Sequence, residues 1–166
     1  MKFALAHSDK VEKLIVVDVA PVGYEGRHSD VFSALFAADV KHAATREDVQ
    51  RVLREKLSGD ETTVQFLMKS LQREESGNTG FRWKFNLESL HSNYGRISEA
   101  ITSVNSFNGK TLFIKGEESN YINRDNYSSV EKLFPSNQLT EIKGAGHWVH
   151  AEKPEEFVKE VLAFLK

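Results

Sequence analysis

A chain of 166 residues, 40% of them apolar and with a formal charge of -2, is long enough for one medium-sized domain with its own core. Its 22 lysines and arginines and 24 aspartates and glutamates are interspersed without blocks, which argues against a nucleic-acid or anionic-lipid partner. The absence of cysteine excludes a disulfide scaffold, thiolate metal sites and a cysteine nucleophile, and fits the reducing cytoplasm. No apolar run reaches the roughly 20 residues of a membrane span, and the first residues lack the charged head, apolar stretch and cleavage site of a signal peptide.

Residues 1–7 (MKFALAH) read as the tail of a helix with nothing upstream to cap or nucleate it. The apolar run at 14–19 within VEKLIVVDVAP, broken only by Asp18, predicts a strand buried on both faces. GYEGRHSD at 23–30 is turn-like, and Val31, Leu35 and Phe36 then recur at helical spacing. Thr45 with Asp48 three residues on has the shape of a capping box, weakened because aspartate reaches back less well than glutamate. Val49, Val52, Leu53 and Leu57 line the helix it opens, and Gly59 ends it. ETTVQFLMKSLQ at 61–72 predicts a further helix, REESGNTG at 73–80 a polar loop, and FRWKFNL at 81–87 a short strand or extended arm. Residues 86–104 return to a weak helical pattern. TLFIKG at 111–116 and NQLTEIKG at 137–144 predict two late strands, separated by a polar-faced helix over 123–134 that Pro135 closes. The tail opens on Pro154 and places Phe157, Val158, Val161, Leu162 and Leu165 on one helical face.

Strand, helical insertion, strand, helix, strand, helix is an α/β order that implies parallel pairing. Three parallel strands leave at least one apolar edge uncovered. That gap and the abrupt opening half-helix imply the C-terminal part of a larger domain, or a reading frame that starts at an internal methionine. The glycine-bracketed His147 in GAGHWVHAEKP sits where a catalytic base is needed, or is a loop histidine held by backbone hydrogen bonds; spacing alone leaves both open.

The order VVDVAPV, a helical insertion, TLFIKGEESNYI, then GAGHWVHAEKP resembles the α/β-hydrolase superfamily, and within it the YbfF-like esterase branch, over essentially the whole chain. The resemblance implies a parallel core over 1–25 and 106–166 and a helical lid insertion over 26–105. It also implies that the family's GHSMGG nucleophile elbow and its oxyanion-hole loop precede the position of Met1. His147 corresponds to the general base and Asp18, ending the first strand, to the orienting acid. Glu117 and Glu118 are rival acids, read as solvated loop charges. Ser119, near the usual acid position, is implied to help hold acid and base together. His150 is read as packing or support rather than as a metal ligand, because no third ligand cluster accompanies it.

For substrate binding the candidates are Trp148, beside the base, and Phe36 and Phe66 in the insertion. Phe32, Leu67 and Trp83 are further lining candidates, although aromatic stripes at helical spacing usually pack in a core. The function implied is the C-terminal portion of a serine esterase acting on small or medium acyl esters, inactive alone because the serine is missing. No cofactor or metal is expected, nor a nucleic-acid or membrane partner. The alternative is a non-catalytic interaction module that self-associates through its open sheet edge.

Overall fold

The computed structural model describes residues 1–24, 26, 28–74 and 80–166. In chain order its elements are α1 (Lys2–Ala6), β1 (Lys13–Val17), α2 (Ser29–Ala37), α3 (Arg46–Lys56), α4 (Glu61–Lys69), β2 (Leu71–Arg73), β3 (Phe81–Trp83), α5 (Leu87–Ser92), α6 (Tyr94–Ser98), β4 (Lys110–Gly116), α7 (Arg124–Leu133), β5 (Asn137–Ile142), α8 (Val149–Glu152) and α9 (Pro154–Leu165). They group into two compact units, Met1–Gly23 with Ala100–Lys166, and Tyr24–Glu99.

The first unit is built on a parallel sheet of order β1-β4-β5. The period-2 alternation of its strands sorts side chains to two faces. Val16 and Phe113, adjacent in register, enter a core with Ala4, Leu5, Val130, Leu133 and Phe134, so α1 and α7 cover that face. Leu112, Ile114 and Ile142 point the other way, and Phe157, Val161 and Phe164 of α9 pack on them. Lys13 at the start of β1 donates to the carbonyls of Phe164 (3.1 Å) and Leu165 (2.8 Å), a cation satisfying the orphan carbonyls at the end of α9.

β4 is the strand buried on both faces; β1, expected to be so from its apolar run, packs Leu14 and Val16 into one core and Ile15 and Val17 against the other but is only partly buried. Among the described residues β1 has one hydrogen-bonded neighbour, and only its Val16 is fully buried. The α9 face also differs from the expected one. Phe157 and Val161 turn to the sheet, whereas Val158, Leu162 and Leu165 are exposed, because Phe164, absent from the expected stripe, takes the inward position.

The second unit packs α2, α3 and α4 with a short antiparallel hairpin of β2 and β3 around Leu35, Val49, Leu53, Val64, Leu67, Phe81 and Trp83. The helix expected over 61–72 ends at Lys69; Leu71 pairs with Trp83 and Arg73 with Phe81, so tertiary pairing takes the last turn away from the helical pattern. The weak helical stretch resolves into α5 and α6 and stops at Ser98. The capping box at α3 is complete despite its short acid: Asp48 N–H donates to Thr45 Oγ1 (3.2 Å), and Thr45 N–H to Asp48 Oδ2 (3.1 Å). Glu25 and Arg27 of the expected turn, and residues 75–79 of the expected polar loop, lie outside the described residues.

Candidate active site

Asp18 follows the last residue of β1, and its N–H still donates to Ile114 O of β4 (2.7 Å). The ladder thus carries it to the end of the sheet, where its backbone turns into the left-handed region (φ 47°). Aspartate tolerates that region better than most residues, and such strain persists only where the surroundings over-determine it. Its side chain is completely buried. Oδ1 accepts from Gly116 N–H (3.2 Å). Oδ2 accepts from the Ser119 hydroxyl and lies 2.7 Å from His147 Nδ1. Three donors meet the requirement that a buried carboxylate be paired and hydrogen-bonded.

His147 reaches that carboxylate from a loop after β5, 129 positions away in the chain. Gly144 turns the loop at φ +60°, and its N–H donates to Glu117 Oε2 (2.9 Å). Ala145 O accepts from Glu118 N–H (2.9 Å), so the loop lies directly on the end of β4. The approach is tight: a Cβ on Gly116 would stand 2.1 Å from Gly146 O and 2.4 Å from Ala145 O. Only glycine admits the loop here. Tyr121 stacks on the imidazole with ring centroids 4.0 Å apart and planes 17° from parallel.

A carboxylate oxygen only accepts, so Nδ1 carries the proton and Nε2 of the neutral ring keeps its lone pair. The histidine side chain is 43% exposed. An imidazole anchored at Nδ1 on a part-exposed ring, with Nε2 outside that bond, is an arrangement that general-base chemistry can use. Ser119 is excluded as the nucleophile by its own geometry, because its hydroxyl donates to Asp18 on the Nδ1 side of the ring. No Gly-x-Ser-x-Gly occurs in the sequence.

The structure thus brings Asp18, Ser119 and His147 together. Trp148 is half-buried beside His147, and its backbone N–H donates to Glu152 Oε1 (3.1 Å). Phe36 and Phe66 are exposed positions of the other unit, 41% and 46% accessible, with Phe36 edge-on to His91. Phe32, Leu67 and Trp83 are buried within that unit. Glu117 is not a merely solvated charge, since it holds Gly144 N–H. His150 lies edge-on to Phe157. Among the described residues no group of three or more histidine, aspartate or glutamate side chains is arranged to hold a metal ion. No helix among them is long and apolar enough to cross a membrane. A cleft of about 520 Å³ opens beside Ser119, lined by Lys115, Asn120, Arg124, Tyr127 and Leu139 among others.

Sequence reading missed Gly116, Tyr121 and Glu152. Gly116 had a signal, a glycine closing a strand, but its role depends on a loop distant in the chain. Tyr121 and Glu152 act through contacts that no periodicity encodes.

No family model matches the chain. It is 39% identical over 166 residues to a Haemophilus influenzae protein provisionally named an esterase/lipase, covering 99% of this chain and 55% of that one. It is 33% identical over 159 residues to esterase YbfF of Escherichia coli, covering 95% of this chain and 59% of that one. The solved structure of a marine microorganism esterase superposes with a TM-score of 0.91 at 36% identity, over 98% of this chain and 64% of that one. The chain therefore spans a little over half the length of the curated relatives it matches.

Proposed function

Because this chain belongs to the α/β-hydrolase superfamily and matches its esterases over part of their length, we propose that it supplies the general base and the orienting acid of a serine esterase. The observation that carries this reading is the 2.7 Å contact between His147 Nδ1 and the buried Asp18 carboxylate. The nucleophilic serine and the oxyanion donors come from sequence outside these 166 residues. The serine hydroxyl attacks the acyl carbon while His147 Nε2 takes its proton, and the tetrahedral intermediate collapses as His147 returns that proton to the leaving alcohol. Water then repeats the cycle and releases the acid, with Asp18 stabilising each transient imidazolium.

The substrates are small or medium acyl esters in the cytoplasm, and the reaction needs no cofactor. By resemblance, residues 26–105 correspond to the family's helical lid insertion, and Phe36, Phe66 and Trp148 are the residues proposed for acyl recognition. Ser119 keeps Asp18 aligned. The test compares the 166-residue chain with the protein expressed from the reading frame extended upstream, on a chromogenic short-chain ester. The chain alone is expected to give background turnover. The extended protein is expected to hydrolyse the ester and to lose about 10⁴-fold of that activity in His147→Ala. Serine-dependent turnover by the chain alone, or full activity in His147→Ala, overturns the reading.

A second reading, a non-catalytic module that self-associates through its sheet edge, draws on β1 having one hydrogen-bonded neighbour among the described residues and on the exposed apolar residues of α9. It predicts a concentration-dependent dimer by size-exclusion chromatography and no reaction with a fluorophosphonate even in the extended protein.

A further inference from the structure

Glu152 holds the backbone on both sides of His147. Its Oε2 accepts from Gly146 N–H (2.6 Å), and its Oε1 accepts from Trp148 N–H (3.1 Å). Trp148 is the N-cap of α8 and Gly146 lies two residues before it in the loop, so the two amides flank His147 where the chain enters the helix. One carboxylate, reaching back from the end of α8, satisfies both. The fit is close, since a Cβ on Gly146 would lie 3.2 Å from Glu152 Oε1.

The histidine ring has its own constraints in the Asp18 carboxylate at Nδ1 and the Tyr121 ring against its face. Neither fixes the backbone that carries the ring. The position of Nε2 depends on that backbone, and a misplacement of about 1 Å in a reacting group can cost about a hundredfold in rate.

We propose that Glu152 is a positioning residue for His147, a two-oxygen clamp on the flanking amides that holds Nε2 at one point while Asp18 anchors Nδ1. This rests on the reading of His147 as the base. The clamp needs a carboxylate, because a carboxamide of the same shape offers one acceptor oxygen and turns an NH₂ donor toward the second N–H. Glu117, which accepts from Gly144 N–H, is the internal comparison: it holds the same loop but, among the described residues, neither amide next to His147.

The experiment uses the extended, serine-bearing protein and compares wild type, Glu152→Gln, Glu117→Gln and His147→Ala by ester-hydrolysis kinetics well below the unfolding midpoint. Amide hydrogen exchange at Gly146 and Trp148 is read in parallel. Glu152→Gln is expected to lower kcat by about tenfold to a hundredfold with KM little changed, and to speed exchange at both amides. Glu117→Gln is expected to have a clearly smaller effect on kcat. A kcat equal to wild type in Glu152→Gln, with or without faster exchange, overturns the proposal, as does a loss no larger than that of Glu117→Gln. If His147→Ala keeps full turnover, the reading of His147 as the base fails instead. The exchange data then still report whether Glu152 holds the loop.

Discussion

In the sheet-bearing unit Asp18 is fully buried, sits at a positive φ and takes three hydrogen bonds. In the helical unit Phe36 and Phe66, the aromatic residues proposed to meet substrate, stand 41% and 46% exposed on helices whose inner stripes form the core. The first arrangement is fixed by backbone: a strand end, a glycine without a Cβ and a loop lying on it leave one geometry. The second is fixed by side-chain packing of Leu53, Val64 and Leu67, which leaves the outward residues free to vary. A set distance between reacting groups needs the first kind of constraint, whereas the second fixes only the inner stripe of each helix.

The sharpest way to break this contrast is Asp18→Asn. A carboxamide must present NH₂ to at least one of three donors and favours the wrong imidazole tautomer, so turnover of the extended protein should fall by about 10⁴-fold. A loss under tenfold would mean that the acid is not Asp18.

In the helical unit the contrast lies between inside and outside. Leu53→Ala empties a fully buried site and should cost about 2–5 kcal/mol, whereas Phe66→Ser, at a half-exposed position, should cost clearly less. The two tryptophans make this measurable, because Trp83 belongs to the helical unit and Trp148 to the sheet unit; denaturant melts should be followed at each.

Gly116→Ala tests whether backbone closeness governs the sheet unit. The added methyl meets the carbonyl oxygens of Gly146 and Ala145, which are backbone and cannot rotate away, so about 1–3 kcal/mol should be lost. Turnover should fall further than stability alone explains. Unchanged kinetics would show that the loop has room.

The smallest effect concerns acid. Asp60 is held below the ordinary carboxylate range by the Thr63 hydroxyl and then by Thr63 N–H, and Asp48 likewise by the hydroxyl and N–H of Thr45. Glu61 is lowered mainly by its bond from Arg54. A lowered folded-state pKa gives stability that is fully present above the unfolded value and lost as pH falls through the folded one. The helical unit should therefore melt at a constant denaturant concentration from neutral pH to about pH 5 and more easily below about pH 4. Asp60→Asn should reduce that acid sensitivity without abolishing the α4 cap.

Much of the sheet unit was legible because its signals are local. The apolar run of β4, Pro135 just after α7, and Pro154 at the first turn of α9 each act within a few residues. The pairing of Asp18 with His147 was legible only through resemblance to a known family, since two residues 129 apart carry no periodicity in common. Other features escaped for physical reasons. Leu71–Arg73 continues a helical stripe, and only β3 tells it to extend. The inward face of α9 is selected by the sheet beneath it rather than by its apolar count. Glu152 looks like one more charge on a short helix until the loop folds back to place two amides on it.

The most direct test of the central pairing is proton NMR of the full chain, following the Nδ1 proton of His147. The account predicts a far-downfield, exchange-protected resonance that survives Ser119→Ala and disappears in Asp18→Ala. A wild-type spectrum without that resonance, or one in which it persists when the carboxylate is gone, would contradict it.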